Sequence, residues 1–273
     1  MNRKLPNEFT FTVVALLLSV ILVHAVYVLH VRPVAEAQMR ADREAMAKDP
    51  EYVQQRSIYV VIKDYEQEAE IILMLWALAI LGYKALAYRR EAEALRAGLL
   101  RLPEGARILP EDTREYMRQL EELPADTRER LVPRALLAAL ARFGATRSVQ
   151  DASTVAHGVC QSEAERLDSD LSMLRYIAWA IPAIGFIGTV RGIGLALAFA
   201  EQAIKGDISP VIEALGLAFN STLVALVLSM GLMYLMHVVQ SRQEAQVIET
   251  QTYCRDAVID VMKVPTREEG SVA

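Results

Sequence analysis

Cysteine is scarce in this chain. There are two, Cys160 and Cys254, in 273 residues, and no CxxC pair. That excludes a disulfide-stapled scaffold and argues against a structural zinc site. Histidine is nearly as rare: His24, His30, His157 and His237 are scattered without metal-ligand spacing. Positive charge is not in excess either. With 29 Lys+Arg against 34 Asp+Glu the formal net charge is −5, whereas broad nucleic-acid binding calls for a basic surface. The chain has no Walker phosphate loop, no GxSxG, no HExxH and no chain-long repeat. No catalytic group, metal or cofactor is therefore expected, and the chain does not read as an enzyme.

Apolar residues are abundant. Hydrophobic residues make up 53% and mean hydropathy is +0.22, yet charged residues reach 23%. A chain combines these when apolar and charged blocks are kept apart, as in an integral membrane protein. Crossing a hydrocarbon core of about 30 Å takes roughly 20 apolar helical residues. Residues 9–29 (FTFTVVALLLSVILVHAVYVL) carry no formal charge. The run exceeds a signal-peptide core and has no convincing small-x-small cleavage site, so it reads as a retained helix. Residues 71–88 are weaker: the charge-free core is IILMLWALAILGY and Lys84 sits at its far end. Lys84 is expected to snorkel to a headgroup region; a buried soluble helix is the alternative. Residues 176–200 contain Pro182 and Arg191, and residues 214–239 are long and uncharged.

Lysine and arginine near helix ends set orientation. Arg3 and Lys4 precede the first block, Arg89, Arg90, Arg96 and Arg101 follow the second, Arg166 and Arg175 precede the third, and Arg242 follows the fourth. The other side has Arg32, Lys63 and Lys205, with Glu66, Glu68 and Glu70 ahead of the second block. Both termini are thus expected in the cytoplasm, with loops 31–70 and 201–213 outside. The predicted organisation is all-α and polytopic: an N-terminal transmembrane hairpin over 1–88, a cytoplasmic helical domain over 89–175, two further spans over 176–239, and a cytoplasmic helical tail over 240–273.

In the cytoplasmic domain Leu99, Leu100, Leu120, Leu123, Leu131, Leu136, Leu137 and Leu140 have helical spacing. Pro103, Pro110, Pro124 and Pro133 are expected to cut it into short helices. Ser148 and Asp151 resemble a capping box, from which a helix runs toward the third span. After the fourth block Val247, Val258, Ile259 and Met262 are expected to line one face of a helical tail. Residues 266–273 are expected to fray.

The third and fourth blocks carry the most specific pattern. Gly185, Gly188, Thr189, Gly192 and Ala196 fall near one helix face, and Ala218, Ser221, Thr222, Ala225 and Ser229 form a comparable stripe, with Asn220 adding a polar group. The glycines read first as packing positions, Gly188 and Gly192 forming a small-xxx-small pair. They lie in an apolar helix with no preceding strand, so they are not a phosphate loop. For the polar flecks two readings stand level: a narrow, partly hydrated seam, or intramembrane hydrogen-bonding glue.

The stretch Ile181-Pro182-Ala183-Ile184-Gly185-Phe186-Ile187-Gly188-Thr189-Val190 resembles the MotA/TolQ/ExbB proton-channel family. Pro182-Ala-Ile-Gly is similar to the proline-bearing third helix of MotA, and Gly188-Thr189-Val190 to the GTV of TolQ and ExbB. Ala218-Phe219-Asn220-Ser221-Thr222-Leu223 resembles the threonine-bearing segment of the last helix. The likeness covers about residues 167–262; the first two blocks match in arrangement alone. The resemblance implies the ring subunit of a proton-motive-force-driven rotary motor, a stator, in the bacterial inner membrane. It implies a homopentamer around two copies of a single-helix partner similar to MotB, TolR and ExbD, whose aspartate takes and releases the proton. It implies an ion pathway at Thr189 and Thr222, with Asn220 and Ser221 beside them, and helix packing through Pro182, Gly185, Gly188, Gly192, Ala218 and Ala225.

One departure stands out. TolQ and ExbB carry a glutamate five residues before the last-helix threonine, and Leu217 occupies that position here. With no other carboxylate expected inside the four blocks, the partner must supply it. Arg191 is expected to snorkel or to pair with a carboxylate. The rival functional reading is a non-conducting scaffold. A secondary transporter is disfavoured by the lack of an internal repeat and of an expected intramembrane charge pair.

Overall fold

The computed structural model describes residues 5–49, 52, 57–96, 100 and 107–264. The positions of Arg3, Lys4, Arg101, Pro103 and the expected fraying of 266–273 lie outside them. The described residues are all-α. Helix α1 (Leu5–Val26) passes through a π turn (Tyr27–Val31) into α2 (Arg32–Lys48). Then come α3 (Ile58–Val61), α4 (Tyr65–Arg96), α5 (Thr113–Glu121), α6 (Ala125–Arg128), α7 (Leu131–Thr146), α8 (Val149–Asp170), α9 (Ser172–Ala198), α10 (Ala200–Ile204) and α11 (Ser209–Cys254), closed by a second π turn (Arg255–Ile259).

Four helical stretches are long and apolar enough to cross a membrane: Glu8–Met46, Tyr65–Arg89, Val149–Ala198 and Ser209–Ile259. The chain is a multi-pass membrane protein. Large apolar side chains stand on the outside of these stretches, among them Leu17, Leu18, Ile21, Trp179, Phe186, Phe219 and Met230. In water such a surface is untenable; against lipid or other apolar helices it costs nothing.

Three helix limits differ from the sequence expectation. The first helix does not end at residue 29 but continues to Lys48. The sequence after Arg32 is rich in Ala, Glu, Gln, Met and Arg, all good helix formers. Pro33 sits in the first turn of α2, and the π turn just before it absorbs the carbonyl that a proline N–H cannot serve. Much of the expected outer loop is therefore helix. The second helix starts at Tyr65, six residues before its apolar run. Pro133 does not break α7; it lies in its first turn, where no intrahelical N–H partner is needed.

The chain divides into two compact units. The first comprises Met1–Tyr83 with Ser172–His237, the second Lys84–Leu171 with Val238–Ala273. In the first unit Val23, Tyr27 and Val31 bury against Ile62, Ile71, Ile72 and Leu75. Trp76 Nε1 donates to the Thr12 carbonyl at 2.9 Å, and the rings of Phe11 and Tyr83 stack 4.8 Å apart.

In the second unit Leu136, Leu140 and Phe143 of α7 share a core with Ala152, Ala156 and Cys160 of α8. Leu120 joins it from α5 and Val247, Val258 and Met262 from the end of the chain. This is the apolar face expected for the tail, with Ile259 partly buried against it. Ser148 caps α8, its Oγ accepting from Asp151 N at 3.2 Å. Ile108 and Met262 form an isolated parallel bridge. Lys84 is 8% exposed, with its Nζ 3.8 Å from Asp170.

Candidate functional site

The sequence-predicted residues meet along the seam between α9 and α11. A Cβ on Gly185 would collide with Ala225, one on Gly188 would lie 2.5 Å from the Ser221 side chain, and one on Gly192 would lie 2.7 Å from the Ala214 carbonyl and from Ala218. As the α9 number rises the α11 number falls, so the helices run antiparallel with small residues stacked in register. Ser229 extends the series by donating to the Ala178 carbonyl at 2.8 Å. Ala196, Ala218 and Ala225 are buried. Pro182 lies half-buried inside α9, one turn before Gly185. With no Cβ in the way, two backbones approach closely enough for side chains on one helix to hydrogen-bond carbonyls of the other.

Thr189 and Thr222 use that proximity. Their hydroxyls are hydrogen-bonded to each other. Thr189 Oγ1 also lies 3.1 Å from the Ala218 carbonyl, and Thr222 Oγ1 lies 3.1 Å from the Gly185 carbonyl. Each threonine thus faces a backbone oxygen of the opposite helix. Beside them Ser221, fully buried, donates to the Leu217 carbonyl at 2.9 Å.

The N-terminal turns of α4 bring in residues that the sequence reading left outside. Gln67 Nε2 donates to Ser221 Oγ at 3.3 Å. Glu66 pairs with Arg191, with Nε–Oε1 and Nη2–Oε2 both at 2.7 Å. Its Cγ lies 3.2 Å from where a Gly188 Cβ would be. Glu68 points to the first helix instead, where Arg32 and His24 hold its two oxygens, His24 Nδ1 at 2.7 Å. Glu70 is fully buried.

This corrects two expectations. The candidate span Tyr65–Arg89 contains three glutamates, so carboxylates are not confined to the outer loops. And a charge pair does exist among the candidate spans, because Arg191 is held by Glu66. The physical reason is that α4 begins at Tyr65, which turns Glu66 and Gln67 toward α9 and α11. A cluster of acidic residues directly abutting an apolar run was the available signal.

An open cavity of about 730 Å³ lies on the side of the first unit formed by α2, α3 and the start of α11. Arg43 of α2 reaches Glu213 of α11 at its rim, 3.2 Å apart. Asn220 and Leu217 line it, each adjacent in the helix to Ser221 or hydrogen-bonded through it. Ser221 and Gln67 themselves do not line it.

Residues 128–252 match the MotA/TolQ/ExbB proton channel family. No curated protein and no solved structure matches the chain. The matched segment takes in all of α9 with its Gly188-Thr189-Val190 and the stretch of α11 that carries Thr222. Over this segment, which is just under half of the chain, and with four helices able to span a membrane, the chain is similar to the MotA/TolQ/ExbB proton channel family.

Proposed function

We propose that the chain is the ring-forming subunit of a proton-driven motor in the bacterial inner membrane, with both termini in the cytoplasm. Five copies surround two copies of a single-helix partner of the MotB, TolR and ExbD kind, and an aspartate on that helix carries the proton past Thr189 and Thr222. Proton passage turns the ring and partner relative to one another. The observation that carries this reading is the hydroxyl pair itself, set across a small-residue seam in a chain similar to this family. Hydroxyls donate to a carboxylate or to water and hold no charge, so they line a pathway through hydrocarbon without the cost of a buried ion. Asn220 lines the cavity, and Ser221 follows it in the chain, buried at the seam.

A specific observation favours the scaffold reading as well. Both hydroxyls lie within hydrogen-bonding distance of backbone carbonyls of the opposite helix, which is what helix glue does. Proton flux in vesicles holding the chain and its partner separates the two. Thr189→Val and Thr222→Val keep shape and remove the hydroxyl. Each is expected to assemble with the partner and to lower flux about tenfold or more, the rate equivalent of ~1.4 kcal/mol. Thr→Ser at either site retains most of the flux. A wild type with no flux, or flux equal in Val and Ser variants, removes the hydroxyls from the pathway.

A further inference from the structure

Three glutamates stand on the first two turns of α4, and they are not equivalent. Glu66 has Arg191, and Glu68 has Arg32 and His24. Among the described residues Glu70 has no cation. It is fully buried within one copy of the chain, and neither carboxyl oxygen has a hydrogen-bond partner. It is one turn beyond Glu66 and three residues beyond Gln67, so it shares the face that α4 turns to Arg191 and Ser221. The residues around it carry further orphaned oxygens. Gln67 Oε1 is buried without a donor, and so is the hydroxyl of Tyr27, which lies within electrostatic range of Glu70.

An ionised carboxylate sealed from water with no donor is among the costliest groups a fold can bury. A protonated one is neutral and becomes a donor, for which Gln67 Oε1 is an acceptor in waiting. The surrounding charges point the same way. Glu66 balances Arg191 and Glu68 balances Arg32, and Asp64 has Lys63 at 3.2 Å. Ionising Glu70 adds an uncompensated negative charge close to Glu66.

We propose that Glu70 is a proton-binding carboxyl supplied by this chain itself, on the face of α4 that carries Gln67 to Ser221 of the seam. A hydronium ion admitted when the helices open gives its proton to one Glu70 oxygen, forming an O–H bond and leaving water; release reverses the step. This deepens the proposed proton-conducting role and rests on it for its use in the cell. It does not rest on it for the protonation itself, which belongs to the chain without a partner.

Infrared spectroscopy of the purified full chain in lipid tests it. At neutral pH the wild type is expected to show the carbonyl stretch of a protonated carboxyl. Glu70→Gln abolishes that band while Glu68→Gln leaves it. Glu70→Asp, which keeps an acid and serves if Glu70→Gln fails to fold, moves the band rather than removing it. Transfer to D₂O shifts it, showing exchange with solvent. A spectrum without the band, a band surviving Glu70→Gln, or a band that D₂O does not shift overturns the proposal. Vesicle flux is measured separately. A Glu70 band present in a chain that conducts nothing with its partner defeats the motor reading and leaves the proton site standing.

Discussion

A hydroxyl has one hydrogen to give, and Thr189 and Thr222 have more acceptors than hydrogens. Two hydrogens face the Gly185 carbonyl, the Ala218 carbonyl and the other hydroxyl's oxygen. Such a pair has alternative hydrogen-bonding arrangements of similar geometry, which suits both gluing helices and passing a proton. Removing one hydroxyl loses about 0.5–1.5 kcal/mol net, so the valine variants should still assemble. The Arg191–Glu66 pair is a different case. Glu66 is nearly buried while Arg191 is 42% exposed. Arg191→Gln leaves the carboxylate without its cation and is expected to cost about 1.5–3 kcal/mol, the range for charge-assisted bonds. The double variant Arg191→Gln/Glu66→Gln should recover much of that. A double-mutant cycle by thermal unfolding in detergent checks it; additive single effects would mean that the pair is not coupled.

Helix α9 meets α11 through glycines that differ in what blocks a side chain. At Gly192 the obstacle is backbone, the Ala214 carbonyl and the Ala218 nitrogen. At Gly194, two residues on, nothing lies within 4 Å. Gly192→Ala is therefore expected to force the helices apart at about 1–3 kcal/mol, the usual range for overpacking. Gly194→Ala should be neutral or stabilise by up to ~1 kcal/mol through helix propensity. Gly188→Leu, driven into Ser221 and Glu66, should weaken the oligomer on a native gel. Equal stability of Gly192→Ala and Gly194→Ala would show that the seam is not closely packed in the membrane.

For the whole molecule the testable property is topology. The bias of Lys and Arg toward one set of helix ends, and the even number of candidate spans, are the grounds for proposing both termini on the same side. Reporters at Lys48 and Asp207 are expected outside, and reporters at Glu122 and Val258 inside. Lys48 now falls at the end of a helix and not in a loop, so a fusion there reads the tip of α2. Finding it inside would remove one crossing and with it the MotA-like arrangement. The apolar side chains left exposed on all four candidate spans also exceed what a lone hydrated protein tolerates, and they are the surfaces available to lipid, to other copies and to a partner helix.

Much was legible from the residues in order. Four crossings followed from run length, because spanning a membrane is a local demand on some 20 neighbouring residues. The cap at Ser148, the tail face of Val247, Val258 and Met262, and the two small-residue stripes followed from helical period, which is also local. The tertiary structure decided what lies far apart in sequence. Glu66 meets Arg191 across 125 positions, and Gln67 meets Ser221 across 154. No periodicity encodes such a pairing; it depends on where α4 starts and how it is rotated against α9 and α11. Read in order, the glutamates at 66, 68 and 70 were a charged flank to an apolar run. Folded, two are neutralised by arginines from other helices and the third is buried without a partner among the described residues, because burial and charge compensation are properties of the packed helices and not of the chain.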